Sequence, residues 1–212
     1  MESFTTFTSV AAPIDATNID TDQIIPAEFL RKPRSAGFGR FLFYRHRFDD
    51  QGREIPGFAL NVTAFRSARI LVTGANFGCG SSRESAVWAL VDPVDDPGVP
   101  GRFRVIIAPS FGDIFYNNAS KNGLLCVRLA SIECDRIRRQ LHDSPGATVT
   151  VALGLQRVRG PDGAHYSFEI DPFRKECLLR GIDDIDLTLG YADAIRDWEE
   201  RTRSERPWDV LC

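Results

Sequence analysis

Metal-binding residues are scarce in this chain. It has three histidines and five cysteines in 212 residues. Cys79, Cys126, Cys134, Cys177 and Cys212 never form a C-x-x-C pair. No zinc site or cluster-ligand set is readable from that spacing, so no metal site is expected on this chain. Free thiols in a reducing cytoplasm are the simplest reading. Long apolar runs are missing too: nothing approaches the ~20 residues of a membrane span. No basic start leads into an apolar run, so no signal peptide is expected. Charge of one sign is not banked anywhere, with 26 basic against 29 acidic residues. That argues against nucleic acid or another polyanion as partner. The densest basic cluster, Arg136, Arg138 and Arg139, reads as the wet face of a helix. There are no internal repeats. What is present is a 43% hydrophobic content, enough for an ordinary core in one domain or one plus an appendage.

Short apolar runs alternate with helix-like stretches, which implies an α/β layered fold. Strands are expected at 4–11, 58–62, 68–72, 103–108, 124–129, 148–153 and 165–170. Phe103–Ala108 is continuous, short and β-branched, as in a buried strand. Helices are expected at 86–90, 113–121, 131–142 and 191–203, with Ser131 as a cap and Ile132, Ile137 and Leu141 on one face. Asp171-Pro172 opens a further helix and Gly181 lies past its end, the usual asymmetry of helix termini. Gly160-Pro161-Asp162-Gly163 reads as a hairpin turn. Residues 31–40 (RKPRSAGFGR) are basic and broken by Pro33, Gly37 and Gly39, and read as a mobile loop. Residues 92–101, with three prolines and two glycines, also read as loop.

The chemistry concentrates in Gly74–Leu90, GANFGCGSSRESAVWAL. A β-rich run breaks at glycines and restarts as a helix. Such a turn presents helix N–H groups and the positive end of the helix dipole to an anion. No lysine follows the glycines, so this is not a P-loop, and the glycine spacing does not fit a dinucleotide fingerprint. Ser81, Ser82 and Arg83 at that place suit a small carboxylate better than a nucleotide. The plainer reading is a glycine turn with Ser81 or Ser82 as helix cap and Arg83 solvated. Cys79, between two glycines, reads as a small residue in a tight turn.

This stretch resembles the serine–serine–arginine motif of the aconitase superfamily's swivelling domain. The chain as a whole resembles the small-subunit family of 3-isopropylmalate dehydratase. Four blocks besides the motif carry the likeness, in the family's order: NIDTDQIIPAEFL (18–30), GFGRFLFYRHRF (37–48), VIIAPSFGDIFYNNASKNGLL (105–125) and DPFRKECLLRGIDDIDLTL (171–189). The resemblance implies a single swivelling β/β/α domain over 1–212, with loop 31–40, a surface insertion at 92–101 and a C-terminal helical extension at 191–212.

It also implies a dehydration followed by rehydration of a substituted malate, in leucine biosynthesis. That reaction needs a Lewis acid, a base for a carbon acid and cations for the carboxylates. The family holds a four-iron–four-sulfur cluster on a separate large subunit, which is the expected partner. This chain would bind no cofactor itself. By resemblance Ser81 is the base, acting as an alkoxide. Ser82, Arg83, Thr21 and Asp22 bind or orient the dicarboxylate substrate, and Asp22 is placed to orient Arg83 or a substrate hydroxyl. The alternative for Asp22 is an Asx-turn before Ile24. Glu84 reads as a first-turn acid complementing the helix dipole. Loop 31–40 corresponds to the segment that selects the side group. Ser85 stands where the family usually has histidine, and Arg45-His46 where aspartate–tryptophan is common. Another substituted malate, such as citramalate or dimethylmalate, and a non-catalytic assembly module therefore stay open as alternatives.

Overall fold

The computed structural model describes residues 1–93, 102–206 and 208. Seven strands form one sheet in the order β4-β3-β2-β1-β5-β6-β7. They are β1 (Thr6–Ile14), β2 (Ile70–Thr73), β3 (Val105–Ala108), β4 (Leu125–Arg128), β5 (Thr148–Ala152), β6 (Arg157–Arg159) and β7 (His165–Ser167). The central strand β1 serves two kinds of sheet. Its first half, Thr6–Val10, pairs antiparallel with β5, and its second half, Ala11–Ile14, pairs parallel with β2. The burial follows. The first half is partly exposed, while Ala11–Ile14 is buried on both faces, as parallel strands are. Pro13 is tolerated here because its register pairs it with Val72 alone, beyond the end of the β5 ladder.

Helices cover both faces, as α/β crossovers require. On one face lie α3 (Glu84–Val91) and α4 (Asp113–Lys121), packed with Leu71, Ile106 and Phe103. On the other lies α5 (Ser131–Asp143), whose Cys134, Ile137 and Leu141 meet Ile70, Val72 and Val105. The short helices α1 (Thr21–Ile24) and α2 (Tyr44–Arg47) belong to the long excursion between β1 and β2. The chain ends with α6 (Pro172–Arg180), α7 (Asp184–Leu189) and α8 (Ala192–Glu205).

Several expectations are corrected. Residues 58–62 form no strand but hold the 3₁₀ turn Ala59–Asn61, and a second, Thr63–Phe65, follows it. The Asn61 amide donates to the carbonyls of Arg47 and Ile55, folding the chain back on itself. Ser131 does not cap α5. Ala130 holds that place, and the Glu133 carboxylate accepts its N–H at 2.9 Å. Ile132 is 73% exposed, because the buried face runs through Cys134, Ile137 and Leu141 instead. Arg138 is not on a wet face: it pairs with Asp15 and Asp135. Strand β6 and helix α7 have no counterpart among the expected elements. The turn 160–163 joins β6 to β7 rather than the two longer strands expected, with Gly163 N–H bonded to Gly160 O.

Helix α6 follows its sequence signals: Asp171 accepts from Arg174 N–H, Pro172 opens the helix, and Gly181 ends it at φ 69°. Residues 31–40 hold two 3₁₀ turns, Arg34–Ala36 and Phe38–Phe41. Of the expected insertion at 92–101, positions 94–101 lie outside the described residues, as do 207 and 209–212 of the C-terminal extension.

Candidate active site

The ten residues between β2 and α3 leave the carboxyl end of the parallel sheet, where open α/β folds bind ligands. Two glycines shape this turn. Gly78 has φ +74°, and a Cβ there would lie 2.2 Å from Cγ of Phe115. Gly80 has φ +86° beside Asp20. Between them Cys79 pairs as an isolated bridge with Asp20, consistent with its reading as a turn residue. The helix then starts at Glu84 with Arg83 in the capping position, extended at φ −137°, and no side chain caps it. Ser81 and Ser82 are therefore not caps. Both are exposed, and the capping alternative falls.

The β1–α1 segment is stitched to this turn along its length. Gly78 N–H donates to Ile19 O at 2.7 Å, Thr21 N–H to Cys79 O at 3.0 Å, and Asn18 N–H to Ala75 O at 2.8 Å. Thr21, 2% exposed, donates its hydroxyl to the Ser81 carbonyl at 2.8 Å. Asp22 forms an ion pair with Arg83. The Arg83 side chain is 16% exposed, so its fork is held at the site rather than solvated. The local side-chain bond belongs to Asp20, whose carboxylate accepts from Gln23 N–H at 2.7 Å and caps α1, while Asp22 turns to Arg83.

Thus Thr21, Asp22, Ser81, Ser82 and Arg83 gather in one place from segments 60 residues apart. Asp22 takes one donor of a guanidinium that has five. The rest of the fork remains suited to a carboxylate. Glu84 points away to accept from Asn122 at 2.8 Å, which supports its structural reading. Reasoning on the sequence missed Asn122 and also Asn76, which bonds Asn18 and Ser110 and pins the turn. No sequence signal marks either.

Among the described residues no three His, Cys, Asp or Glu side chains are grouped to hold a metal ion. Burial pushes the Cys134 thiol up to about 12 and the Cys126 thiol higher, which disfavours the thiolate a cluster needs. Among the described residues, Cys126 and Cys134 are therefore poorly suited to ligate an iron–sulfur cluster.

Comparison with known proteins places this geometry. Residues 1–132 match the family model of the aconitase C-terminal domain, which sets the class of fold. Residues 135–172 match the model described as LeuD_N, and 184–208 match that of the C-terminal domain of the 3-isopropylmalate dehydratase small subunit. The chain is 50% identical over 208 residues to the 3-isopropylmalate dehydratase small subunit of Paramagnetospirillum magneticum, covering 98% of this chain and 100% of that one. It is also 50% identical to that of Rhodospirillum rubrum, covering 98% and 97%. A solved 3-isopropylmalate dehydratase from Methanocaldococcus jannaschii shares the fold, with a TM-score of 0.62 over 92% of this chain and 99% of that one, at 24% identity. The chain belongs to the 3-isopropylmalate dehydratase small-subunit family. A small subunit implies a large one as partner.

Proposed function

We propose that this chain supplies the base and the carboxylate-binding residues of a hydro-lyase that interconverts 2- and 3-isopropylmalate in leucine biosynthesis. The observation that carries this is the meeting of Thr21-Asp22 with Ser81-Ser82-Arg83 at a glycine turn. Arg83, oriented by Asp22, binds one substrate carboxylate through its fork. Ser82 hydrogen-bonds the same region. Ser81, as alkoxide, takes a proton from the carbon next to the one that loses hydroxide, leaving an alkene. In the second half Ser81 returns that proton to the carbon that lost hydroxide while hydroxide adds to the carbon that lost the proton, so hydrogen and hydroxyl exchange places and Ser81 ends as the alkoxide it began as. An alkoxide needs stabilisation, and the backbone N–H groups at the start of α3 and the Arg83 charge offer it once water is excluded.

The four-iron–four-sulfur cluster sits on the large subunit, whose docking shuts the site and excludes that water. No nucleic acid or membrane takes part, and the enzyme works in the cytoplasm. Among the described residues no helix is long and apolar enough to cross a membrane. The test is an assay of the complex with its large subunit on 2-isopropylmalate, 3-isopropylmalate and citramalate. Preference for the isopropyl substrates supports the reading. Turnover of citramalate alone, or of none, overturns it.

A further inference from the structure

The chain leaves α1 at Ile25 and returns at Phe43, whose N–H bonds Ile24 O at 2.8 Å. Between these points it forms a strap closed at its neck, an Ω-loop in shape. Its base is ordered by aromatic packing: Phe29 stacks on Phe41 at 4.3 Å, and Phe38, 1% exposed, meets Trp88 edge-on at 5.7 Å. Its tip, residues 31–35, is exposed. One side chain of the tip reaches away from the strap. Arg34 donates Nη2 to Asp92 Oδ1 at 2.7 Å, with Nε also within 3.3 Å of both carboxylate oxygens. Its guanidinium carbon lies 4.8 Å from the centre of the Trp88 ring.

Asp92 is an unexpected acid. It ends α3 at the C-cap and is 8% exposed. A carboxylate there faces the negative end of the helix dipole, which disfavours it. The last turn of α3 has no basic residue of its own. The charge that Asp92 needs comes from Arg34, out on the strap. Helix α3 begins beside Arg83, and α1 carries Asp22. The strap thus springs from one site helix and is fastened to the far end of the other.

We propose that Arg34 and Asp92 form a latch, with Arg34 a positioning residue that holds the strap between α1, which carries Asp22, and α3, which starts at Arg83, and so sets substrate affinity rather than the rate of the chemical step. A held wall saves the ordering cost that a loose one would impose on binding. Neither residue touches the reacting atoms. Trp88 completes the latch as the surface on which the guanidinium rests, and a lysine would lose both the fork and the stacking.

The inference has two tests, of which only the kinetic one rests on the reaction proposed above. First, limited trypsin digestion of the chain compares the native protein with Asp92→Asn, which leaves every arginine in the strap in place. The latch predicts cleavage after Arg31, Arg34 or Arg40 at least ~5-fold faster in the variant, with cleavage elsewhere unchanged. Equal strap cleavage overturns it. Faster cleavage throughout would mark general destabilisation and also overturns it. Second, in the assembled enzyme Arg34→Gln should raise KM ~5- to 20-fold with kcat within about twofold, and Arg34→Lys should recover only part of the loss. A fall in kcat at unchanged KM, or full rescue by lysine, overturns the positioning role. If the native complex has no activity on isopropylmalates, the proposed reaction fails while the digestion result still decides the latch.

Discussion

Ser81 sits on an exposed turn whose backbone is held by Thr21 and whose hydroxyl caps no helix. Removing that hydroxyl should therefore leave stability within ~0.5 kcal/mol, the range of ordinary surface substitutions. As a general base it should matter far more, and Ser81→Ala should cost ~10²–10⁴ in kcat. Steady-state rates and a melting curve on the same sample decide this, and near-normal turnover by a folded, assembled variant would reduce Ser81 to a turn residue. Arg83→Lys keeps the charge but loses the planar fork. A charge-assisted bond is worth ~1.5–3 kcal/mol, so kcat/KM should fall ~10- to 200-fold at 1.36 kcal/mol per decade, alike for each dicarboxylate. A third expectation concerns the thiols. Burial raises the Cys126 and Cys134 thiols, so at pH 8 almost none of either is thiolate, the reactive form. Both should resist a disulfide reagent in the native protein and react once it unfolds. At this scale the sequence shows the glycine–serine–arginine turn by itself. It does not show that Asp22 meets Arg83, since nothing local links positions 61 residues apart. The family likeness suggests that pairing, and the stitching of 18–21 to 75–81 explains it.

Elements are legible where their ends carry chemistry. Asp171-Pro172 and Gly181 mark both ends of α6 because a cap, a fixed φ and a left-handed terminus are local requirements. The apolar runs of β2, β3 and β4 are legible because strands buried on both faces need continuous hydrophobes, whereas the parallel half of β1, Ala11–Ile14, runs through Pro13 past the expected strand 4–11. Failures have equally local causes. Phe58–Val62 is a short, mostly apolar run like a strand's, yet the Asn61 amide donates to two backbone carbonyls and turns it. Strand β6 and helix α7 are too short for periodicity to show. Ile132 reads as part of the α5 face but stands five residues from Ile137, well round the helix. The turn between β2 and α3 offers a sharp test at this scale. Gly78 combines φ +74° with a Phe115 ring lying where a Cβ would go. Gly78→Ala must bear positive-φ strain of ~1 kcal/mol or more and displace a packed aromatic ring besides. Denaturant unfolding should show a loss of ~2–4 kcal/mol, and turnover should fall as the Ser81 turn shifts. Gly52→Ala, with a similar φ but open space around it, is the control and should cost less.

The whole molecule is a site with one side supplied. One surface presents an exposed serine pair, a guanidinium held by Asp22 and the start of a helix that no side chain caps. An alkoxide base requires a dry surrounding, and exposed serines on an open turn do not have one. On the reaction proposed above the remaining wall comes from another chain, in keeping with the partner that membership of a small-subunit family implies. The isolated protein should then have no measurable turnover of isopropylmalate, and activity should appear on titration with the large subunit and saturate at one-to-one. Iron and sulfide should follow the same division. Among the described residues no three His, Cys, Asp or Glu side chains are grouped to hold a metal, and two of the thiols are kept protonated by burial. After anaerobic reconstitution this chain alone should stay colourless, with far less than one equivalent of iron retained after desalting. The large subunit treated in the same way should turn brown. A brown small subunit with stoichiometric iron and sulfide would place the cluster on this chain and overturn the division of labour. Catalysis by the colourless chain alone would show instead that its own walls exclude water well enough to sustain the base.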